Sequence, residues 1–305
     1  MKELLSPNQV AKAIGVSESS LKRWADRGRI ATVRTAGGHR RLPVSNVLKF
    51  VREQGLELVD PTVLGLPAAT GTGARTLDRG RESLVQAYRN GSYEAALQIV
   101  VDLYLVPHGL AELFDAVVQP ALVEVGHRQA EGNMEIYQER RSIEFTARIL
   151  HEISRMIPPA DLSKPKAVGG TLDGDPYTTA TKMAELVLRS VGYRAVTLGN
   201  ELPFDTMAKA VDDENPRLLW VSVSSIRDCG EFTERLNRLY DRCAANGTQL
   251  VIGGVALNDE TRRPLRYHGY CGTMSDLEKF GLAHAELLRT RESVSPLSVS
   301  STPLA

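Results

Sequence analysis

Residues 17–41 read SESSLKRWADRGRIATVRTAGGHRR, and the fold of the first part of the chain turns on them. Ser17 is a helix-capping residue, Leu21, Trp24 and Ala25 recur at helical spacing, and Gly28 suits the end of a short helix. The preceding stretch, LLSPNQVAKAI (residues 4–14), predicts another helix. Ser6-Pro7 opens it, Val10, Ala11 and Ile14 form its apolar face, and Gly15 breaks it. Two short helices joined by a tight turn are a helix-turn-helix. Downstream, β-prone residues flank Gly37-Gly38, which predicts a hairpin wing. Pro43 then opens a third helix through Val47, Leu48 and Val51.

Charge points to what this head binds. Residues 1–55 hold eleven Lys and Arg against four Asp and Glu, a net of +7, while the whole chain is neutral. The remaining 250 residues therefore carry −7. A basic head on an acidic body is the footprint of a polyanion-binding module. Ser19, Ser20, Lys22 and Arg23 on the second helix are candidates for the DNA major groove and its phosphates. Arg34, Thr35, Gly38, His39, Arg40 and Arg41 are the candidates on the wing, where glycine allows close backbone approach and arginine supplies charge. The pattern SxxxVAxxxGVSxxSLKRW followed by RTAGGHRR resembles the MerR family of transcription regulators. That resemblance implies that Arg23 sits at a phosphate-contacting position, that Trp24 packs the core, and that Arg40 and Arg41 grip the backbone beside the minor groove.

The rest of the chain reads as a multidomain α and α/β protein. After the winged helix-turn-helix (1–55), residues 56–76 are rich in Gly, Pro, Thr and Ala and predict a linker. Residues 77–160 predict a four-helix bundle, with helices over 79–90, 93–105, 109–130 and 134–156. Residues 161–291 alternate apolar runs (167–172, 195–198, 218–223, 249–252) with helical stretches (176–191, 203–213, 229–246, 274–290). That alternation predicts a flavodoxin-like parallel sheet, with Tyr270-Cys271 as a short fifth strand. Residues 292–305 read as a disordered tail.

Several classes are disfavoured. No apolar run is long enough to span a bilayer and the first residues lack a signal-peptide core, so no membrane association and a cytoplasmic location are expected. Three widely spaced cysteines do not make a disulfide framework, and the six histidines show no metal spacing. No phosphate-binding glycine loop and no nucleophile–base constellation occurs, so the chain is not expected to be an enzyme.

The order winged helix, linker, bundle, α/β domain also resembles the light-sensing, cobalamin-dependent repressors of carotenoid genes and the bundle-plus-flavodoxin module of corrinoid proteins. In that family a Trp and a Glu-His pair cover the upper face of the corrin. Here the matching positions hold Gln129, Glu139 and Arg140. The family's Asp-x-His-x-x-Gly, whose His binds cobalt, is matched by Asp175, Tyr177 and Ala180. A phenol is a poor substitute for imidazole at cobalt. Ser224, Gly253 and Gly254 match positions around the nucleotide tail, and also suit plain strand-end turns. The expectation is a DNA-binding regulator with a corrinoid-fold sensor or oligomerisation body and no cofactor, with adenosylcobalamin as the alternative. Expected partners are double-stranded DNA, further copies of the chain (a dimer or tetramer through the body, since no long helix follows the wing), and a protein antagonist, which the resemblance permits.

Overall fold

The computed structural model describes residues 4–71 and 76–294. The head runs β1 (Leu4–Leu5), α1 (Pro7–Ala13), α2 (Glu18–Asp26), β2 (Val33–Arg34), β3 (Arg40–Pro43) and α3 (Val44–Gln54). Ser6 closes a capping box on α1: its Oγ accepts the Gln9 N–H while Gln9 Oε1 accepts the Ser6 N–H. Ser17 caps α2 by accepting the Ser20 N–H at 3.1 Å. The wing strands pair antiparallel in the order β1-β3-β2. Leu5, Val10, Leu21, Leu42 and Leu48 are buried beneath them, and the Trp24 and Phe50 rings lie 5.2 Å apart. α3 stops at Gly55, whose left-handed φ of 61° ends the helix.

Residues 56–71 are packed, unlike the loose linker that their composition predicts. The Val59 and Asp60 N–H groups donate to the Ala13 carbonyl at 2.8 and 3.1 Å, and Lys12 reaches Asp60 at 3.4 Å. A 3-10 turn over Pro61–Leu64 buries Leu64, and Leu66 follows it into the core. Glycine and proline mark the turns correctly, but the leucines between them carry enough apolar surface to fix the segment. Residues 72–75 of the predicted linker lie outside the described residues.

The bundle comprises α4 (Leu77–Asn90), α5 (Tyr93–Tyr104), α6 (Leu110–Leu113), α7 (Gln119–Ala130) and α8 (Ile136–Met156). A π-helical turn over Phe114–Val118 joins α6 to α7 into the single rod predicted from sequence. Pro120 explains the turn. It lacks an N–H and its ring crowds the carbonyl four residues back, so the ladder widens just ahead of it. Arg52 of α3 ties head to bundle by donating to the His108 carbonyl and lying over the Tyr104 ring, 4.8 Å from its centroid.

The α/β part follows as β4 (Lys166–Gly170), α9 (Thr179–Ser190), β5 (Arg194–Thr197), α10 (Phe204–Glu214), β6 (Leu218–Ser222), α11 (Cys229–Asn246), β7 (Gln249–Gly253), α12 (Asp259–Arg262), β8 (Gly269–Tyr270) and α13 (Met274–Val294). The strands are parallel in the order β5-β4-β6-β7-β8. β6 is buried along its whole length, as a central parallel strand covered by helices on both faces must be. Gly169 is required by packing, because a Cβ there would stand 2.1 Å from the Trp220 ring. The last helix extends three residues into the stretch read as a tail, and residues 295–305 of that stretch lie outside the described residues. No helix among the described residues is long and apolar enough to cross a membrane.

Candidate nucleic-acid interface and body cavity

The head gathers the predicted DNA contacts but gives them unequal freedom. Arg23 lies on the exposed side of α2, Arg27 caps the end of that helix and Arg41 stands half-buried on β3, and none of the three side chains has a hydrogen-bond or ion-pair partner among the described residues. Lys22 pairs with Glu18 at 2.9 Å. Arg40 donates to Asp26 at 2.7 Å, which pins the wing strand to the end of α2. Ser20 is taken up by the cap: its N–H donates to Ser17 Oγ, and the Ser17 hydroxyl donates to Ser20 Oγ at 2.9 Å. Ser19 is exposed, 2.9 Å from the same Ser17 oxygen. In the wing turn, the Thr35 N–H donates to the His39 carbonyl and the Gly38 N–H to the Thr35 carbonyl. Gly38 has φ 77°, and Arg34 reaches its carbonyl at 3.4 Å, which leaves His39 exposed at the tip. Arg27 was not singled out from the sequence. Its place just past the α2 stripe, on the same surface as Arg23, was the available signal.

The body encloses a cavity of about 800 Å³ at the carboxyl ends of the strands, where parallel α/β sheets place their ligands. Its floor is formed after β4 by residues 176–180, after β6 by Ser222 and Ser224, and after β7 by Gly253, Gly254 and Val255. Its roof is α7, with Gln119, Leu122 and Val125, and α8, with Glu139, Arg140, Ile143 and Glu144. Thr273, Met274 and Leu277 close one side from the start of α13. That start is fixed by Asp115 of the π turn, which accepts the Met274 and Ser275 N–H groups at 2.8 Å each and the Ser275 hydroxyl at 2.6 Å. The widened turn therefore has a use: it carries a carboxylate to the helix that walls the cavity.

Of the predicted pocket residues, the structure brings Glu139, Arg140, Tyr177, Ser224, Gly253 and Gly254 to this cavity. Gln129 is not among the lining residues. It sits in the last turn of α7, beyond the half of that helix that forms the roof. Asp175 is buried behind the wall, where its carboxylate accepts the Tyr177, Ser224 and Ser225 N–H groups. Burial pushes its pKa up while those hydrogen bonds pull it down, and burial has the larger effect. Asp175 thus ties two floor loops together. Packing alone requires glycine at 253 and 254: a Cβ would lie 2.3 Å from the Cys271 carbonyl oxygen or 2.2 Å from that of Val223. Glu139 and Arg140 form an ion pair at 3.3 Å.

The donor set does not fit a histidine-ligated cobalt. Tyr177 stands half-exposed at the mouth, and none of the six histidines lines the cavity. His268, the histidine closest to the sheet in sequence, uses Nδ1 to accept the Leu250 N–H and stacks on Tyr240. No group of His, Cys, Asp and Glu among the described residues has the geometry of a metal site.

Comparisons with known proteins bear on the head and on the body. Residues 4–55 match the family described as Helix-turn-helix domain. Over 269 residues the chain is 24% identical to the HTH-type transcriptional repressor CarH of Myxococcus xanthus, a match covering 82% of this chain and 88% of that protein. Among solved structures, the monomethylamine corrinoid protein of Methanosarcina barkeri aligns with a TM-score of 0.58 at 12% identity, over 68% of this chain and 99% of the other. The chain joins a helix-turn-helix domain to a body with the fold of a corrinoid protein, and over most of its length it is similar to a transcriptional repressor.

Proposed function

We propose that this protein is a cytoplasmic transcription regulator that binds duplex DNA through its winged head, and that its body assembles copies and senses a signal without histidine-ligated cobalamin. The observation that carries the reading is the set Arg23, Arg27 and Arg41, three cations on a helix-turn-helix without carboxylate partners. Guanidinium groups so placed contact phosphates. In this reading Lys22 and Ser19 work beside them from α2, while Arg34, Thr35, Gly38 and His39 shape the wing tip. Arg40 and Ser20 act through Asp26 and Ser17, as positioning residues. One recognition helix reads only a half-site, and α3 ends at Gln54 without a long dimerisation helix behind it. Pairing of heads therefore falls to the body, as a dimer or tetramer.

A cobalamin-dependent regulator is the second reading, and one observation favours it: the cavity occupies the carboxyl ends of a corrinoid-protein fold and has room for a large ligand. The first reading is tested by titrating the purified protein with labelled duplex fragments, including the region upstream of its own gene, at rising salt. Binding should weaken linearly in log salt, as it does when phosphate counterions are released. Salt-independent or absent binding would overturn it.

A further inference from the structure

The second helix of the head carries two carboxylates, Glu18 at its beginning and Asp26 at its end. Asp26 is taken up by Arg40 of the wing. Glu18 and Ser19 are the first two residues of α2, and in a helix-turn-helix the N-terminal residues of the second helix are those that reach base edges. Glu18 is also held in place. One of its oxygens lies 2.9 Å from the Lys22 ammonium, one turn along the helix. The other accepts the side-chain amide N–H of Asn8, in the first turn of α1, at 3.4 Å. Hydrogen bonds from Lys22 and Asn8 hold its pKa below the usual carboxylate range, so the side chain meets DNA ionised. Each oxygen has one partner, and a carboxylate offers about four lone-pair sites, so acceptor capacity is left over.

We propose that Glu18 is a specificity-determining residue of the head, accepting a hydrogen bond from the N4 amino group of a cytosine in the major groove, with Lys22 and Asn8 setting its position. The inference rests on the head binding duplex DNA. A carboxylate brought up to a duplex is repelled by the phosphates on both sides of the groove, so at this position it is a cost unless a base supplies a donor. In the major groove only cytosine and adenine do so. Adenine sets its N7 acceptor beside the amino group, whereas cytosine presents the amino group with no acceptor on the same base. Guanine and thymine meet a carboxylate with acceptors and no donor, so Glu18 selects by penalty as well as by attraction. Arg23 and Arg41 add affinity without regard to sequence, because phosphates are the same at every base pair. Lys22 offsets part of the repulsion and keeps donors beyond the one directed at Glu18.

The full-length protein is used to select duplexes from a randomised library, and the selection is repeated with Glu18→Gln and Glu18→Ala. The unaltered protein should favour cytosine at one position of each half-site, with about tenfold weaker binding for any other base there. Glu18→Gln should move that preference to adenine, whose N6 and N7 a side-chain amide meets together, and Glu18→Ala should erase it. Preferences at the other positions should stay as they are, and affinity for non-specific duplex should not fall in either variant. Thermal unfolding checks that both variants fold. If Glu18 served only to stabilise the start of α2, the variants would lose stability and keep every base preference. Unchanged preferences in a folded variant, or a Glu18-dependent position at which the unaltered protein favours a base other than cytosine, would overturn the proposal. Duplex binding without any sequence selection overturns this proposal alone, and absence of duplex binding overturns the regulator reading with it.

Discussion

Arg23, Arg27 and Arg41 stand on the head without a carboxylate beside them, whereas Arg140 at the roof of the cavity lies 3.3 Å from Glu139. The head leaves its cations available to an anion that comes from outside. The cavity holds its one cation beside a carboxylate. Residue type alone therefore does not describe a surface, because arginines of one chain stand here with and there without a carboxylate beside them. The same contrast runs within the head. Arg40 and Arg41 are neighbours, yet Arg40 is held by Asp26 and Arg41 is free.

The comparison breaks most easily at the DNA surface. Replacing Arg23 and Arg41 together with alanine should lower duplex affinity roughly 100-fold and reduce the salt slope by about 2, if each contacts one phosphate. Arg40→Ala should reproduce the smaller effect of Asp26→Ala, because both changes release the wing strand. An Arg40→Ala loss as large as that of the double variant would show that the ion pair opens and Arg40 itself binds DNA.

A smaller effect is expected in the body. Asp115→Ala removes three acceptor contacts from the start of α13 and should cost about 2 kcal/mol of unfolding free energy, read by chemical denaturation. An unaltered denaturation midpoint would mean that the π turn is not holding the helix.

The smallest effect concerns pH. Burial holds the pKa of His268 below its ordinary value of 6.5, and the neutral ring accepts the Leu250 N–H. A group whose folded pKa is depressed contributes stability above its unfolded pKa and loses it on acidification. Stability should therefore fall as pH drops below 6.5, and His268→Gln should flatten that part of the profile in thermal unfolding. An identical profile in the variant would remove His268 from the account.

The head was nearly legible from sequence because its signals are local. Ser6, Ser17, Gly28 and Gly55 act within a turn of where they stand, and the wing turn is encoded by two adjacent glycines. The parallel sheet was legible for a similar reason, since alternating apolar runs and amphipathic helices fix its class. The cavity was less so. Matching Gln129 to a motif position relied on spacing along α7, and only the packing of α7 on α8 shows which half of the helix forms the roof. The sequence motif sets Asp175 in a ligand loop, but its partners, the Ser224 and Ser225 N–H groups, lie 49 and 50 residues away in the chain. The Glu139, Arg140, Ile143 and Glu144 stripe on one side of α8 becomes a cavity wall only with the sheet beneath it.

The contrast between an open basic head and a cavity without imidazole is tested most directly by one spectrum. The protein is incubated with adenosylcobalamin in the dark and desalted, its visible absorption is recorded, and duplex binding is measured with and without illumination. The account predicts no retained corrin absorption and DNA binding that is indifferent to cofactor and light. A stoichiometric corrin band after desalting, with DNA affinity that changes on illumination, would contradict it.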